Sequence, residues 1–237
     1  MKIWSISLTT SKRSLKKLFM MSLEWGEKMY KLFFKRVFDL ILSIVALPFW
    51  ILILALVGPF IYFQDKGNIF YNAPRLGKNG KVFKMYKFRS MKLNAPDLRN
   101  EDGSTFNSED DPRLTRIGKF IRKTSLDETP QLLNIIKGDM SIIGPRPDLP
   151  EHYKLYVGNE ERKLEIRPGV TGYNQAYFRN TVPWKERIKN DIYYIDHLTW
   201  WMDIKIFFKT AVSVLKREDV FVTDQREKSD SHTPTGI

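Results

Sequence analysis

Two adjacent carboxylates, Asp127 and Glu128, sit in the stretch Thr124-Ser-Leu-Asp-Glu-Thr-Pro-Gln-Leu-Leu-Asn-Ile-Ile-Lys-Gly138. Leu132, Leu133, Ile135 and Ile136 make an apolar helical face there, and Lys137-Gly138 reads as a helix C-terminus. The start of this helix has two readings. Ser125 with Glu128 is a capping-box pattern, and Thr129 with Pro130 is an N-cap followed by proline at the first helical position. On either reading the two acids lie at a helix N-terminus, whose free N–H groups and positive dipole end stabilise carboxylates and attract phosphate. Two further segments suit oxyanions. In Gly144-Pro-Arg-Pro147, Arg146 lies between prolines that fix φ and stiffen the loop, which favours bidentate binding. The segment Arg167-Pro-Gly-Val-Thr-Gly-Tyr-Asn-Gln-Ala-Tyr-Phe-Arg179 is a second shaped loop with an arginine at each end. Taken singly, each arginine reads more readily as a surface salt bridge, and the acids as helix-start residues.

The elements that must hold these groups include one that is not an ordinary core helix. From Leu40 to Phe63 no residue is charged. As a straight helix this run would reach about 36 Å, enough to cross a hydrocarbon core of about 30 Å. It carries no polar stripe, so membrane insertion is expected. The run is too long and too far from Met1 for a cleaved signal peptide. Pro48 near its middle predicts a kink. Lys28, Lys31, Lys35 and Arg36 precede the run, and Lys66, Arg75, Lys78 and Lys81 follow it. With both flanks basic, the charge rule for orientation fits a helix that leaves on the face it entered as well as it fits a kinked spanning helix.

Composition narrows the partners. The 237 residues carry a formal net charge of +12 and a sequence pI near 9.7, pointing to anionic partners: nucleic acid, a phosphorylated small molecule or an anionic membrane surface. Residues 1 to 36 hold nine Lys/Arg against two Asp/Glu, so more than half of the excess precedes the apolar run. Lys12, Arg13, Lys16 and Lys17 there suit an anionic lipid surface, or a loose tail. With no cysteine, disulfides, thiolate zinc sites and thiol nucleophiles are excluded. Three scattered histidines argue against a His-rich metal site. Lys81 to Met91 interleaves basic and aromatic residues, and it reads as half-buried strand with an Asn79-Gly80 hairpin turn rather than as a nucleic-acid surface. Leu114, Ile117, Phe120 and Ile121 have helical spacing, and Asn94 to Asp111 reads as a loop. Trp200 to Lys216 is amphipathic and reads as a core helix, with an interfacial helix as the alternative.

Several stretches together resemble one family, the monotopic phosphoglycosyl transferases or bacterial sugar transferases. They are Lys35-Arg-Val-Phe-Asp39, Arg75-Leu-Gly77, Tyr86-Lys-Phe-Arg-Ser-Met91, Asp111-Pro-Arg-Leu-Thr-Arg-Ile-Gly118, Ser125-Leu-Asp-Glu128, Pro130-Gln131, Lys137-Gly-Asp-Met140, Gly144-Pro-Arg-Pro147, Arg167-Pro-Gly-Val-Thr-Gly172 and Asp203-Ile-Lys-Ile206. The resemblance covers about Lys35 to Leu215, and ten motifs in order are far more specific than any one. Tyr173-Asn174 departs from the family's usual Trp-Ala. The resemblance implies an α+β, helix-rich fold: a small cytoplasmic catalytic domain with a single N-terminal re-entrant membrane helix, broken at Pro48. The expected parts are a basic N-terminal extension (1–34), the re-entrant helix (35–64), the catalytic domain (65–217) and a flexible polar tail (218–237).

The resemblance further implies transfer of a sugar-1-phosphate from a UDP-sugar to a polyprenol phosphate such as undecaprenyl phosphate at the cytoplasmic face of the bacterial inner membrane. UMP is released, and this is the first membrane step of exopolysaccharide, capsule or glycoconjugate assembly. Asp127 and Glu128 become the catalytic pair, with Asp127 the nucleophile and Mg2+ at the pair. Arg122, Arg146 and Arg179, with Lys87, are the candidates to neutralise substrate phosphates. The expected partners are UDP-sugar, polyprenol phosphate and membrane lipids, and no nucleic acid. The alternatives are a non-catalytic membrane-anchored anion-binding module and direct transfer in a ternary complex.

Overall fold

The uncharged run is helical. In the computed structural model, which describes residues 25–98, 108, 110–178 and 182–216, helix α1 runs from Trp25 to Asp65. It contains one π-helical turn at Tyr30–Phe34, and both Pro48 and Pro59 lie inside it. The helix starts earlier than the boundary at residue 35, because Tyr30 and Lys35 are both tethered to Asp203 far along the chain, at 2.6 and 2.5 Å. Residues 1–24, with Lys12, Arg13, Lys16 and Lys17, and the polar tail lie outside the described residues.

The middle of α1 is bare. Ile44, Val45, Phe49, Leu52, Leu56 and Phe60 are each more than half exposed, while Ser43, Trp50, Val57 and Ile61 are buried. An apolar surface of this extent is stable only against lipid or protein. Both ends of the helix, by contrast, are pinned to the rest of the molecule. At the entry, Arg36 donates to the carbonyls of Ile135 (2.6 Å) and Ile136 (3.1 Å), and the Asp39 carboxylate accepts from Ile142 N–H (3.0 Å). At the exit, Arg89 forks onto Asp65 with two bonds of 2.6 Å and reaches the Ile61 carbonyl. A straight helix would set Arg36 and Asp65 about 43 Å apart. Their anchors are near neighbours: Asn134, next to Ile135, accepts from Tyr86 N–H, three residues before Arg89. Such pinning fits a re-entrant helix bending about Pro48, midway between the two anchors. The helix is uninterrupted across Pro48.

Strands β1 (Phe70–Leu76) and β2 (Val82–Phe88) follow as an antiparallel hairpin, with Phe70 opposite Phe88 and Leu76 opposite Val82. The turn is the predicted one. Asn79 and Gly80 both take positive φ, 57° and 73°, as a tight twisted hairpin requires. Helix α2 (Arg116–Lys123) is capped by Thr115, whose hydroxyl accepts from Gly118 N–H. Helix α3 (Gln131–Lys137) ends at Gly138 in the left-handed region, as Lys137-Gly138 predicted. Strand β3 (Ser141–Ile143) pairs in parallel with β4 (Gly169–Thr171), and α4 (Tyr173–Tyr177), α5 (Trp184–Asp196) and α6 (Trp200–Lys216) complete the α+β, helix-rich fold.

Among the described residues the core has three parts. Val57 and Ile61 of α1 pack with Phe88 and Ile121, so the membrane helix contributes to the core beneath the hairpin. Met85, Ile135 and Met140 join β2 to α3. Ile143, Ala176, Tyr194, Ile195, Leu198 and Ile206 form the third. The reading of Trp200 to Lys216 as a core helix is corrected. Ile206 is buried, but Trp200, Trp201, Phe207 and Phe208 are 45 to 64% exposed. Only one narrow stripe of α6 faces inward.

Candidate active site

The acid pair does not open an α-helix. Asp127 and Glu128 lie on a separate 3-10 turn, Leu126–Glu128, between α2 and α3. Neither predicted cap forms. Ser125 takes φ 56° and makes no side-chain cap, and the Thr129 hydroxyl donates backwards to the Leu126 carbonyl at 2.8 Å. The short turn wins because Leu126 is drawn into the cluster of Val57, Ile61, Phe88 and Ile121. Packing the half-buried Leu126 there leaves the two acids on other sides of a turn whose residues point about 120° apart.

The turn's surroundings are cationic. Lys87 on β2 donates to Glu128 Oε1 at 2.6 Å. Arg122, from the last turn of α2, and Arg146, from the loop after β3, act on both carboxyl groups electrostatically. Arg122 is held by Nε donating to Ser90 Oγ at 3.1 Å, while Arg146 is exposed. Four of the predicted groups on three elements, together with Arg146 on its loop, are thus brought to one place. Arg179 lies outside the described residues.

The two acids differ. Burial pushes Asp127 up to about 6, against the pull of Lys87, and the negative charge of Glu128 adds to the rise. Burial also acts on Glu128, but Lys87 and Arg146 outweigh it and hold Glu128 below the usual carboxylate range. Among the described residues no hydrogen bond holds the Asp127 carboxylate, whereas Glu128 is tied to Lys87. Glu128 is therefore anchored and held in its charged form, and Asp127 is buried with no side-chain hydrogen bond among the described residues.

The described residues contain no cluster of three acids or histidines able to hold a metal by themselves. Mg2+ keeps several waters and takes only one or two carboxylates plus substrate phosphates, so the two oxygen-bearing side chains of Asp127 and Glu128 are a compatible donor set.

Two positioning residues escaped the sequence reading. Asn134, fully buried, accepts from Tyr86 N–H (2.9 Å) and donates to the Lys84 carbonyl (2.8 Å), pinning α3 to the strand that carries Lys87. Its signal was a lone amide inside the apolar face Leu132-Leu-Asn-Ile-Ile136. Ser90, the partner of Arg122, gave no signal of its own.

Fold and site together define a membrane-anchored α+β domain with an acid pair among cations. Residues 30–217 match the family model described as bacterial sugar transferase. The chain belongs to the bacterial sugar transferase family. It is 39% identical over 206 residues to an undecaprenyl-phosphate galactose phosphotransferase of Salmonella typhimurium, covering 80% of this chain and 42% of that protein. It is 41% identical over 195 residues to the exopolysaccharide production protein ExoY of Sinorhizobium fredii, covering 76% and 84%. A third relative, a UDP-N-acetylgalactosamine-undecaprenyl-phosphate N-acetylgalactosaminephosphotransferase of Aeromonas hydrophila, is 34% identical over 193 residues, covering 77% and 44%. The chain thus spans less than half the length of the first and third of these relatives.

Proposed function

We propose that this protein transfers a sugar-1-phosphate from a UDP-sugar to a membrane polyprenol phosphate, undecaprenyl phosphate being the acceptor named for two relatives. The observation that carries this reading is the buried Asp127, without a side-chain hydrogen bond among the described residues, beside an anchored Glu128 and under the electrostatic influence of Lys87, Arg122 and Arg146.

The chemistry runs in two displacements. An Asp127 carboxylate oxygen attacks the sugar-proximal phosphorus, and the bridging P–O bond to the uridine-side phosphate breaks. UMP leaves with that oxygen, and the phospho-sugar stays on Asp127 as an acyl phosphate. A phosphate oxygen of the polyprenol phosphate then attacks the same phosphorus. The acyl phosphate bond breaks, Asp127 is restored as carboxylate, and the product is a polyprenol diphosphate sugar. An anionic nucleophile approaching a diphosphate meets like-charge repulsion, which the cations around the turn offset. Arg146 and Arg122 bind and orient the phosphates, and Lys87 holds Glu128 in place. Mg2+, when bound at Asp127 and Glu128 with the diphosphate, would neutralise phosphate charge.

The acceptor has its lipid tail in the bilayer, and the turn that carries the acids packs through Leu126 against Val57 and Ile61 near the exit of α1. A reaction at the cytoplasmic face of the inner membrane, where UDP-sugars are made, is consistent with this arrangement, as an initiating step of exopolysaccharide, capsule or glycoconjugate assembly. Purified protein with undecaprenyl phosphate and a panel of UDP-sugars tests the reading through UMP release. Release that requires the lipid phosphate and one UDP-sugar is the expected result. Binding of UDP-sugars without any release would replace the enzyme by an anion-binding module.

A further inference from the structure

Behind the Arg146 loop lies a buried polar network that the reaction does not use. Asp148, two residues after Arg146, receives Lys163 Nζ at 2.6 Å and Tyr156 OH at 2.8 Å on one oxygen, and Trp184 Nε1 at 3.2 Å on the other. Lys163 Nζ is also 3.1 Å from Asp191 Oδ2 on α5. The other oxygen of Asp191 accepts from Asn174 Nδ2 of α4 at 2.8 Å, and Asn174 in turn accepts from Asn190 at 3.0 Å. Lys163, Asn174 and Asp191 are 3% exposed or less. Taking one ammonium and two carboxylates out of water is costly, and a well-packed apolar cluster would serve stability as well or better. The network therefore calls for a use other than stability.

Its position supplies one. The Gly144–Asp148 loop is fixed at its start by two backbone bonds, Gly144 N–H to the Thr171 carbonyl and Gly169 N–H to the Pro145 carbonyl, each 2.9 Å. At its end the Asp148 carbonyl accepts from Leu76 N–H at 2.8 Å, and the Asp148 side chain enters the network. Arg146 stands between the two fixed points, with a proline on each side.

We infer that the Asp148–Lys163–Asp191–Asn174 network is a positioning device for Arg146, coupling the arginine loop to α4 and α5 so that the guanidinium is held toward the acid pair. These residues touch no substrate and act through Arg146. The inference rests on the proposed reaction for its catalytic readout, but not for its structural one.

Lys163→Met would leave two buried acids without their cation and can fail to fold, so Asn174→Ala, which removes no charge but takes away the amide that donates to Asp191 and to the Arg187 carbonyl and accepts from Asn190, is the primary variant. Turnover is measured in a double-mutant cycle of Asn174→Ala with Arg146→Ala in the full-length, detergent-solubilised protein. Asn174→Ala should lower kcat about five-fold in the native background and less than two-fold once Arg146 is absent. An equal fold-loss in both backgrounds would mean a merely structural role and overturn the inference. Amide hydrogen exchange of the 141–149 segment should quicken in Asn174→Ala while the β1–β2 hairpin is unchanged. Unaltered exchange in that segment also overturns the inference. Because exchange needs no turnover, a protein that releases no UMP would sink the proposed reaction and leave the positional coupling to be decided by exchange alone.

Discussion

Asp127 combines two demands that conflict. In the proposed reaction it is the nucleophile and must be ionised, yet burial disfavours the charge and pushes the group up to about 6. The folded protein thus binds the Asp127 proton more tightly than the unfolded chain, whose carboxyl titrates near 3.8. As pH rises through that window the fold loses stability and the site gains its nucleophile. Two outcomes follow. The pH profile of kcat/KM should fall on the acid side with an apparent value near 6. Asp127→Asn should be inactive, yet melt at a higher temperature than the native protein at pH 7.5, the gap closing below pH 4. A lower melting temperature at pH 7.5 would contradict the burial argument. Arg146→Ala should raise the barrier by about 2 to 4 kcal/mol, as loss of a positioned oxyanion donor does, seen in single-turnover UMP release with the fold intact by circular dichroism. The residue types were legible in the sequence, since acids beside phosphate-friendly loops suggest this chemistry. Their difference in state was not, because it comes from the burial of Asp127 itself and from Lys87, forty-one residues before Glu128.

Helix α3, the hairpin and the turn between them set the geometry of the site. The hairpin was legible because Asn79-Gly80 supplies both positive-φ residues of its turn, and the C-terminus of α3 because Gly138 adopts the left-handed conformation that glycine favours. The start of α3 was not, since two local capping patterns competed and a tertiary contact, Leu126 against α1, overrode both. Asn134 is the tightest link between α3 and β2. Replacing it by alanine strands a buried N–H and a carbonyl, and should cost about 2 to 3 kcal/mol in denaturant unfolding. The motif Asp111 to Gly118 proves architectural. Asp111 and Arg113 form a buried pair at 2.7 Å, Thr115 caps α2, and a Cβ on Gly118 would lie 1.8 Å from the Ser90 carbonyl oxygen. That same backbone contact holds Ser90 beside Arg122.

At the scale of the whole molecule, the membrane helix is part of the catalytic fold as well as its anchor. Its entry and exit are pinned through Arg36, Asp39 and Asp65, and its last turns enter the core under the acid pair. The apolar run was plain from sequence, but periodicity alone could not choose between spanning and returning, because the choice depends on where the two ends are held. A tag on the N-terminus and one on the C-terminus should therefore be protected or digested together in sealed inner-membrane vesicles. Opposite protection would show a spanning helix. The central claim is a covalent phospho-sugar on Asp127. Protein incubated with a UDP-sugar carrying label in both the sugar and the sugar-proximal phosphate, with no polyprenol phosphate present, should retain both labels in about one equivalent. The labels should be lost to added undecaprenyl phosphate and should never attach to Asp127→Asn. Turnover with lipid but no retained label at any time point, or label retained by Asp127→Asn, would contradict the account.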